Sequence, residues 1–176
     1  MTKQELEQAI EKVRLSKQDQ LHLANQIGSN RELYRHLWEL VRKESDFSRF
    51  SRAVWVFELC STQHPDLVYP ILEEIIEFLP HPNHNGTYRS LVKILAHLDH
   101  IPEKYQGILY SLCIDWLLNP QKQVAIKVHC MSIAALIAKA EPDLQEELRL
   151  VITDQLDYNS SAFAARARKV LKKMKH

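Results

Sequence analysis

The sequence predicts an all-α superhelix, a solenoid of about ten helices in antiparallel pairs, on three observations. A phrase recurs along the chain: Pro65, Pro102 and Pro142 each open an apolar run with an acid directly behind, Asp66, Glu103 and Asp143, at spacings of 37 and 40 residues. Further apolar runs carry a basic residue near their start, Arg52, Arg89, Lys127 and Arg166, stepping by 37, 38 and 39 residues. A fixed period in this range marks stacked supersecondary units, none of which can bury its apolar face alone. Finally, the 176 residues contain only three glycines, Gly28, Gly86 and Gly107. That is too few for tight β-hairpins or Gly-rich phosphate loops.

The elements follow in order. Leu6, Ala9, Ile10 and Val13 recur at the spacing of a one-sided apolar stripe and predict a first helix over 3–14. A second helix, 17–27, stops at Gly28-Ser29-Asn30, where glycine ends one helix and Asn30 caps the next. That third helix, 31–44, buries Leu33, Leu37, Leu40 and Val41. From here an outer A helix alternates with an inner B helix: B over 47–62, A over 65–79, B over 87–99, A over 103–118, B over 121–139, A over 142–156 and B over 160–174. Pro70 lacks an N–H and should kink the helix over 65–79. The segment Pro80-His81-Pro82-Asn83-His84-Asn85-Gly86 is the longest break. Asn119-Pro120, Glu141-Pro142 and Asn159-Ser160 punctuate the rest. We read residues 1–176 as a single domain, with capping helices over 1–29 and repeats over 30–174.

The cysteines, Cys60, Cys113 and Cys130, are odd in number and lie within apolar runs, which suits reduced buried thiols in the cytoplasm better than a disulfide framework. The opening Met1-Thr2-Lys3-Gln4-Glu5 lacks the apolar stretch of a signal peptide, and charges interrupt every long apolar run. No membrane segment is expected. The aromatic residues fall mostly in the apolar stripes and are assigned to the core, Trp55 among them.

The alternation of A and B helices at this period resembles the HEAT-like, armadillo-type repeat family over about residues 30–174. The inner helix of that family carries an acid, then a Val-Arg step, then spaced alanines. Here the basic position is kept as Arg52, Arg89, Lys127 and Arg166, but the preceding acid survives only as Asp46, with Asn83, Gln121 and Ser160 in later copies, and bulkier residues such as Trp55 and Val92 fill alanine positions. The repeats are degenerate. Counting Lys and Arg against Asp and Glu, the A helices total −7 and the B helices +10, although the whole chain carries only +1. In such repeats the B helices line the concave surface, so the resemblance implies a basic groove, with Arg52, Arg89, Lys93, Lys127, Arg166, Arg168 and Lys169 as its candidate binding residues. The repeated basic residue also has a structural alternative, a hydrogen bond to a neighbouring loop or carbonyl.

No nucleophile-elbow, Walker, Rossmann or His-Glu-x-x-His pattern occurs. Cys60, His64, His97 and His100 have spacings that zinc allows, but corresponding positions in adjacent repeats stand about 8–10 Å apart, so no metal site is assigned. His81 and His84 are no closer to forming one. No cofactor is expected. Arg52 and Trp55 on one B helix bear a partial similarity to bacterial DNA alkylation-repair glycosylases of the same repeat type, with Glu58 as a substitute for their acid. The expectation is a non-enzymatic module binding an acidic protein segment. The alternative is a nucleic-acid-binding protein related to those glycosylases.

Overall fold

The computed structural model describes residues 1–12, 14–43, 46–80 and 85–174, leaving out the side chains of positions 47, 50 and 85. Val13, His81, Pro82, Asn83 and His84 lie outside the described residues. Among those described there are ten α-helices and no strand: α1 (Lys3–Glu11), α2 (Lys17–Ile27), α3 (Arg31–Lys43), α4 (Phe47–Gln63), α5 (Leu72–Phe78), α6 (Asn85–Leu95), α7 (Glu103–Leu118), α8 (Val124–Ile137), α9 (Pro142–Asp154) and α10 (Ser161–Lys173). The chain forms two compact units, Met1–His97 and Leu98–His176.

Local chemistry sets the helix ends. Thr2 with Glu5, and Ser16 with Asp19, form reciprocal capping boxes at α1 and α2. Asn30 Oδ1 accepts from the backbone N–H of Glu32 and of Leu33, each at 3.0 Å, and starts α3 as expected. Asp46 accepts from the N–H of Arg49 at 2.9 Å and caps α4. The predicted kinked helix over 65–79 is instead broken. Its first part forms two 3₁₀ turns, Pro65–Leu67 and Tyr69–Ile71, and only Leu72–Phe78 is α-helical. Pro70 has no N–H to give the carbonyl of Asp66, which removes a rung from any α ladder through this stretch, and the α-helix starts only after Ile71, whose φ of −119° is non-helical.

In the first unit α4 lies at the centre and packs against α1, α2, α3 and α6. Tyr34 and Trp38 of α3 stack on Phe57 of α4 with centroids 5.0 and 5.3 Å apart, and Phe78 meets Trp38 edge-on at 5.7 Å. The polar tips are satisfied. Tyr34 Oη and Ser61 Oγ share a 2.8 Å hydrogen bond, and Trp38 Nε1 donates to Glu74 Oε2 at 3.1 Å. Glu74 also receives Arg42 at 2.6 Å and Arg35 at 2.5 Å. In the second unit α8 has the central place, against α7, α9 and α10. Leu109, Cys113, Cys130, Met131, Ile133 and Phe163 are among its buried residues.

Two glycines separate a conformational requirement from a vacancy. Gly28 ends α2 at φ +48°, and a Cβ there would stand 3.3 Å from the Asn25 carbonyl oxygen. Gly107 lies inside α7 with nothing within 4 Å of where its Cβ would be. Gly28→Ala should therefore lose about 1–3 kcal/mol. Gly107→Ala should gain about 0.5–1 kcal/mol, because alanine suits a helix interior. Urea unfolding of the two variants checks the opposite signs.

Candidate functional site

The seven candidate basic residues occupy five different chemical settings. Arg52, on α4, is half-buried and donates through Nε to the Ile10 carbonyl at 2.6 Å, closing the C-terminal end of α1. This is the structural alternative set out above for the repeated basic position. Lys93, on α6, pairs with Glu58 of α4, whose other carboxylate oxygen accepts from Ser90 Oγ at 2.6 Å. Lys127, on α8, is only 3 % exposed, and its side chain has no hydrogen bond or ion pair with a described residue. Burial pushes its ammonium below the usual lysine range. Arg166, on α10, is half-buried and donates to Ser132 Oγ at 3.1 Å.

Arg89, Arg168 and Lys169 form the remaining group. All three are exposed, and none has an ion pair or hydrogen bond with a described residue. Lys172 and Lys173 extend the same condition along α10. The helix carries no acid, and its apolar side, Phe163, Ala167 and Val170, is buried, so the charges at 168, 169, 172 and 173 project from the opposite side. Each of the other basic side chains on α4 and α6 is engaged: Arg49 with Glu11 at 2.7 Å, Arg52 with Ile10 and Lys93 with Glu58. Arg89 is the one cation of those two helices without a partner among the described residues.

Trp55 departs from its core assignment. It is 47 % exposed, while Trp38 and Trp116 are 0 % and 7 % exposed. Along α4 the buried positions are Ala53, Val54, Val56, Phe57, Cys60 and Ser61, which leaves Trp55 on the solvent side. Tyr158 is likewise exposed rather than core. The charge repeat pairs Arg89 with Arg52, but burial pairs it differently. Ala53, Val56, Phe57, Cys60 and Ser61 on α4 match Thr87, Ser90, Leu91, Ile94 and Leu95 on α6, all buried, and this register puts Arg89 opposite Trp55 in the pattern.

The histidine and cysteine set gives no metal cage among the described residues, where no group of three or more His, Cys, Asp or Glu side chains is suitably gathered. Cys60 is fully buried with its Sγ 3.9 Å from the Ala24 carbonyl oxygen, and burial pushes its thiol up to about 12. His97 Nδ1 is occupied by the Lys93 carbonyl oxygen at 2.7 Å. Cys113 and Cys130 are free thiols, and the hydrogen bond to Cys130 together with burial holds the Cys113 thiol well above its ordinary value. A cleft of about 360 Å³ between α1 and α2 is lined by Glu5, Lys12, Leu15, Asp19, His22 and Leu23, among others. Asp19 on its wall is held low by the hydroxyl and N–H of Ser16, so that carboxylate caps a helix. Among the described residues no helix is long and apolar enough to cross a membrane.

A family model described as a HEAT repeat domain matches residues 3–174. No curated protein and no solved structure matches the chain.

The settings of Arg52 and Arg89 give contrasting expectations. Arg52→Ala orphans the Ile10 carbonyl and should lose about 1.5–3 kcal/mol, the scale of a charged hydrogen bond. Arg89→Ala touches nothing and should stay within about 0.5 kcal/mol of the parent. Urea midpoints measure both. Cys60 predicts an alkaline effect. Its thiol ionises near the ordinary value of 9.0 when unfolded but near 12 when folded, so between those values the unfolded chain holds fewer protons and stability falls as pH rises. Burial raises the Tyr34 phenol too, adding to the fall. Cys60→Ala should show a shallower decline of urea midpoint across that window.

Proposed function

The chain belongs to the HEAT repeat domain family, whose helical repeats commonly mediate protein interactions, and on that premise we propose that it is a non-enzymatic module that binds an acidic segment of a protein partner. The observation that carries this reading is α10. Five cations and no acid lie on one helix, and four of those cations are exposed without any described partner. Like charges held side by side repel one another, and a carboxylate-rich segment relieves that repulsion on docking. Arg168 and Lys169, with Lys172 and Lys173, make the main contacts, and Arg166 is placed beside them by Ser132. Arg89 offers a separate free cation on the first unit. Arg52, Lys93 and Lys127 contribute through the fold, since their charges are already engaged or buried.

The engaged state of Glu58 supports the non-enzymatic part. Of the residues similar to the alkylation-repair glycosylases, Arg52 is tied to a backbone carbonyl and Glu58 to Lys93 and Ser90. An acid neutralised in this way is poorly placed to act on a substrate. Free cations suit phosphates as well as carboxylates, so binding to nucleic acid is the competing outcome.

Titration of the full chain with fluorescent poly-glutamate and with duplex DNA, at low and at physiological salt, tests the reading. Poly-glutamate should bind, weaken with salt, and lose at least about tenfold in affinity when Arg168, Lys169, Lys172 and Lys173 are all changed to Glu. Submicromolar binding of duplex DNA at physiological salt, with a log–log salt slope of about 0.9 per phosphate neutralised, would favour the nucleic-acid reading instead.

A further inference from the structure

Trp55 has no structural reason to be exposed. The central helix α4 is covered by α1, α2, α3 and α6, and its one open stripe runs through Ser48, Trp55 and Thr62 with half-buried Arg52 and Leu59 beside them. A polar residue at this solvent-side position would solvate readily. Instead the largest side chain available stands there, 47 % exposed. Isolated exposed tryptophans are poor surface residues and strong interface anchors, because the indole supplies a large rigid contact area for two rotatable bonds.

The surroundings decide what the ring would meet. Where α6 crosses α4, Glu58 is held by Ser90 and Lys93. Trp55 lies three residues before Glu58 on α4 and Arg89 one before Ser90 on α6, so both belong to the stretches of the two helices that meet at this crossing. They also occupy matching solvent-side positions in the burial patterns of their two helices. The remaining charges of this face cancel internally: Arg49 with Glu11, Arg52 on a carbonyl, Lys93 with Glu58. What is left unmatched is one apolar ring and one guanidinium. The complementary ligand presents an apolar or aromatic side chain with an acid close to it.

We infer that the α4–α6 face of the first unit is a second docking site, in which Trp55 anchors an aromatic or proline side chain of a protein segment and Arg89 holds a neighbouring Asp or Glu. The inference rests on the reading of the chain as an interaction module, but it is independent of α10. A guanidinium can grip a carboxylate with two parallel hydrogen bonds, which gives the site direction as well as charge. The site therefore selects a short motif, whereas the α10 surface responds to charge density.

Selection from a phage-displayed library of short random peptides, using the full chain, supplies the probe. Wild type should enrich peptides in which an aromatic or proline neighbours Asp or Glu. Synthetic copies of those peptides should shield Trp55 from acrylamide quenching, which reports this indole because Trp38 and Trp116 are buried. Trp55→Ala and Arg89→Glu should each weaken the peptides at least about tenfold. Trp55→Phe should recover most of the loss, and the fourfold Glu variant of α10 should leave binding unchanged. Equal circular dichroism and urea midpoints of the variants exclude a folding cause. Enrichment of nothing, or of peptides that bind Trp55→Ala as well as wild type, overturns the inference. Peptides that depend on α10 but not on Trp55 sink this site while sustaining the proposed function. Loss of poly-glutamate binding alone does the reverse.

Discussion

Burial of one helix on nearly all sides governs the first unit. α4 places Ala53, Val54, Val56, Phe57 and Cys60 out of water, and these residues point in too many directions for a single neighbour to cover. Four other helices are drawn around it as a result. Each polar group carried inward then needs a partner: Ser61 bonds to Tyr34 and to the Phe57 carbonyl, and Arg52 reaches the Ile10 carbonyl. The second unit repeats the arrangement with α8, whose Ile126, Cys130, Met131, Ile133 and Ala134 are all buried. Such a helix contributes its charges to the fold rather than to the surface. The buried Lys127 is the extreme case, since desolvation leaves its ammonium at a disadvantage that no described acid relieves.

This constraint sorts the cations. A basic residue on the central helix α4 is close to carbonyl ends and to acids of the surrounding helices, and is captured by them, as Arg49 and Arg52 are, while the α4 acid Glu58 captures Lys93 from α6. A basic residue on a helix with one open side has fewer neighbours. α10 packs with Phe163, Ala167 and Val170 and leaves its other side to solvent, so its charges stay uncommitted. Total charge per helix is therefore a weaker guide than the number of sides a helix has covered. The +10 of the B helices in the sequence is real, but a good part of it is engaged inside the fold.

Much of the fold was legible. The limits of α2 and α7 follow from Gly28 at one end and the Pro102 and Asn119-Pro120 punctuation at the other, because these residues stop or start a helix by their own backbone chemistry. At Pro70 the sequence predicts only a kink where the structure has a split, because sequence shows the missing N–H but not how many turns the neighbours can hold together. The candidate site was less legible. Period assigns residues to helices but not to faces: a shift of three residues rotates a side chain by about 60°. Charges recur between α4 and α6 at 37 residues, whereas burial recurs at 34, the separation of Trp55 from Arg89. A basic residue at the repeat position thus has a different setting in each helix, and Trp55, set among apolar neighbours in sequence, faces water in space.

The two proposed surfaces differ in the kind of recognition they would support. On α10 the free groups are long, flexible and of one sign, and their attraction for a partner acts over a Debye length of about 8 Å at physiological salt. Contact geometry matters little for such a surface, and encounter rate matters more. The α4–α6 face has the opposite character. Its charges are paired off except for Arg89, so long-range steering is slight, and an indole fixed on a rigid central helix favours a ligand of matching shape. The proposed site would thus lie on the same helix, α4, around which the first unit is packed.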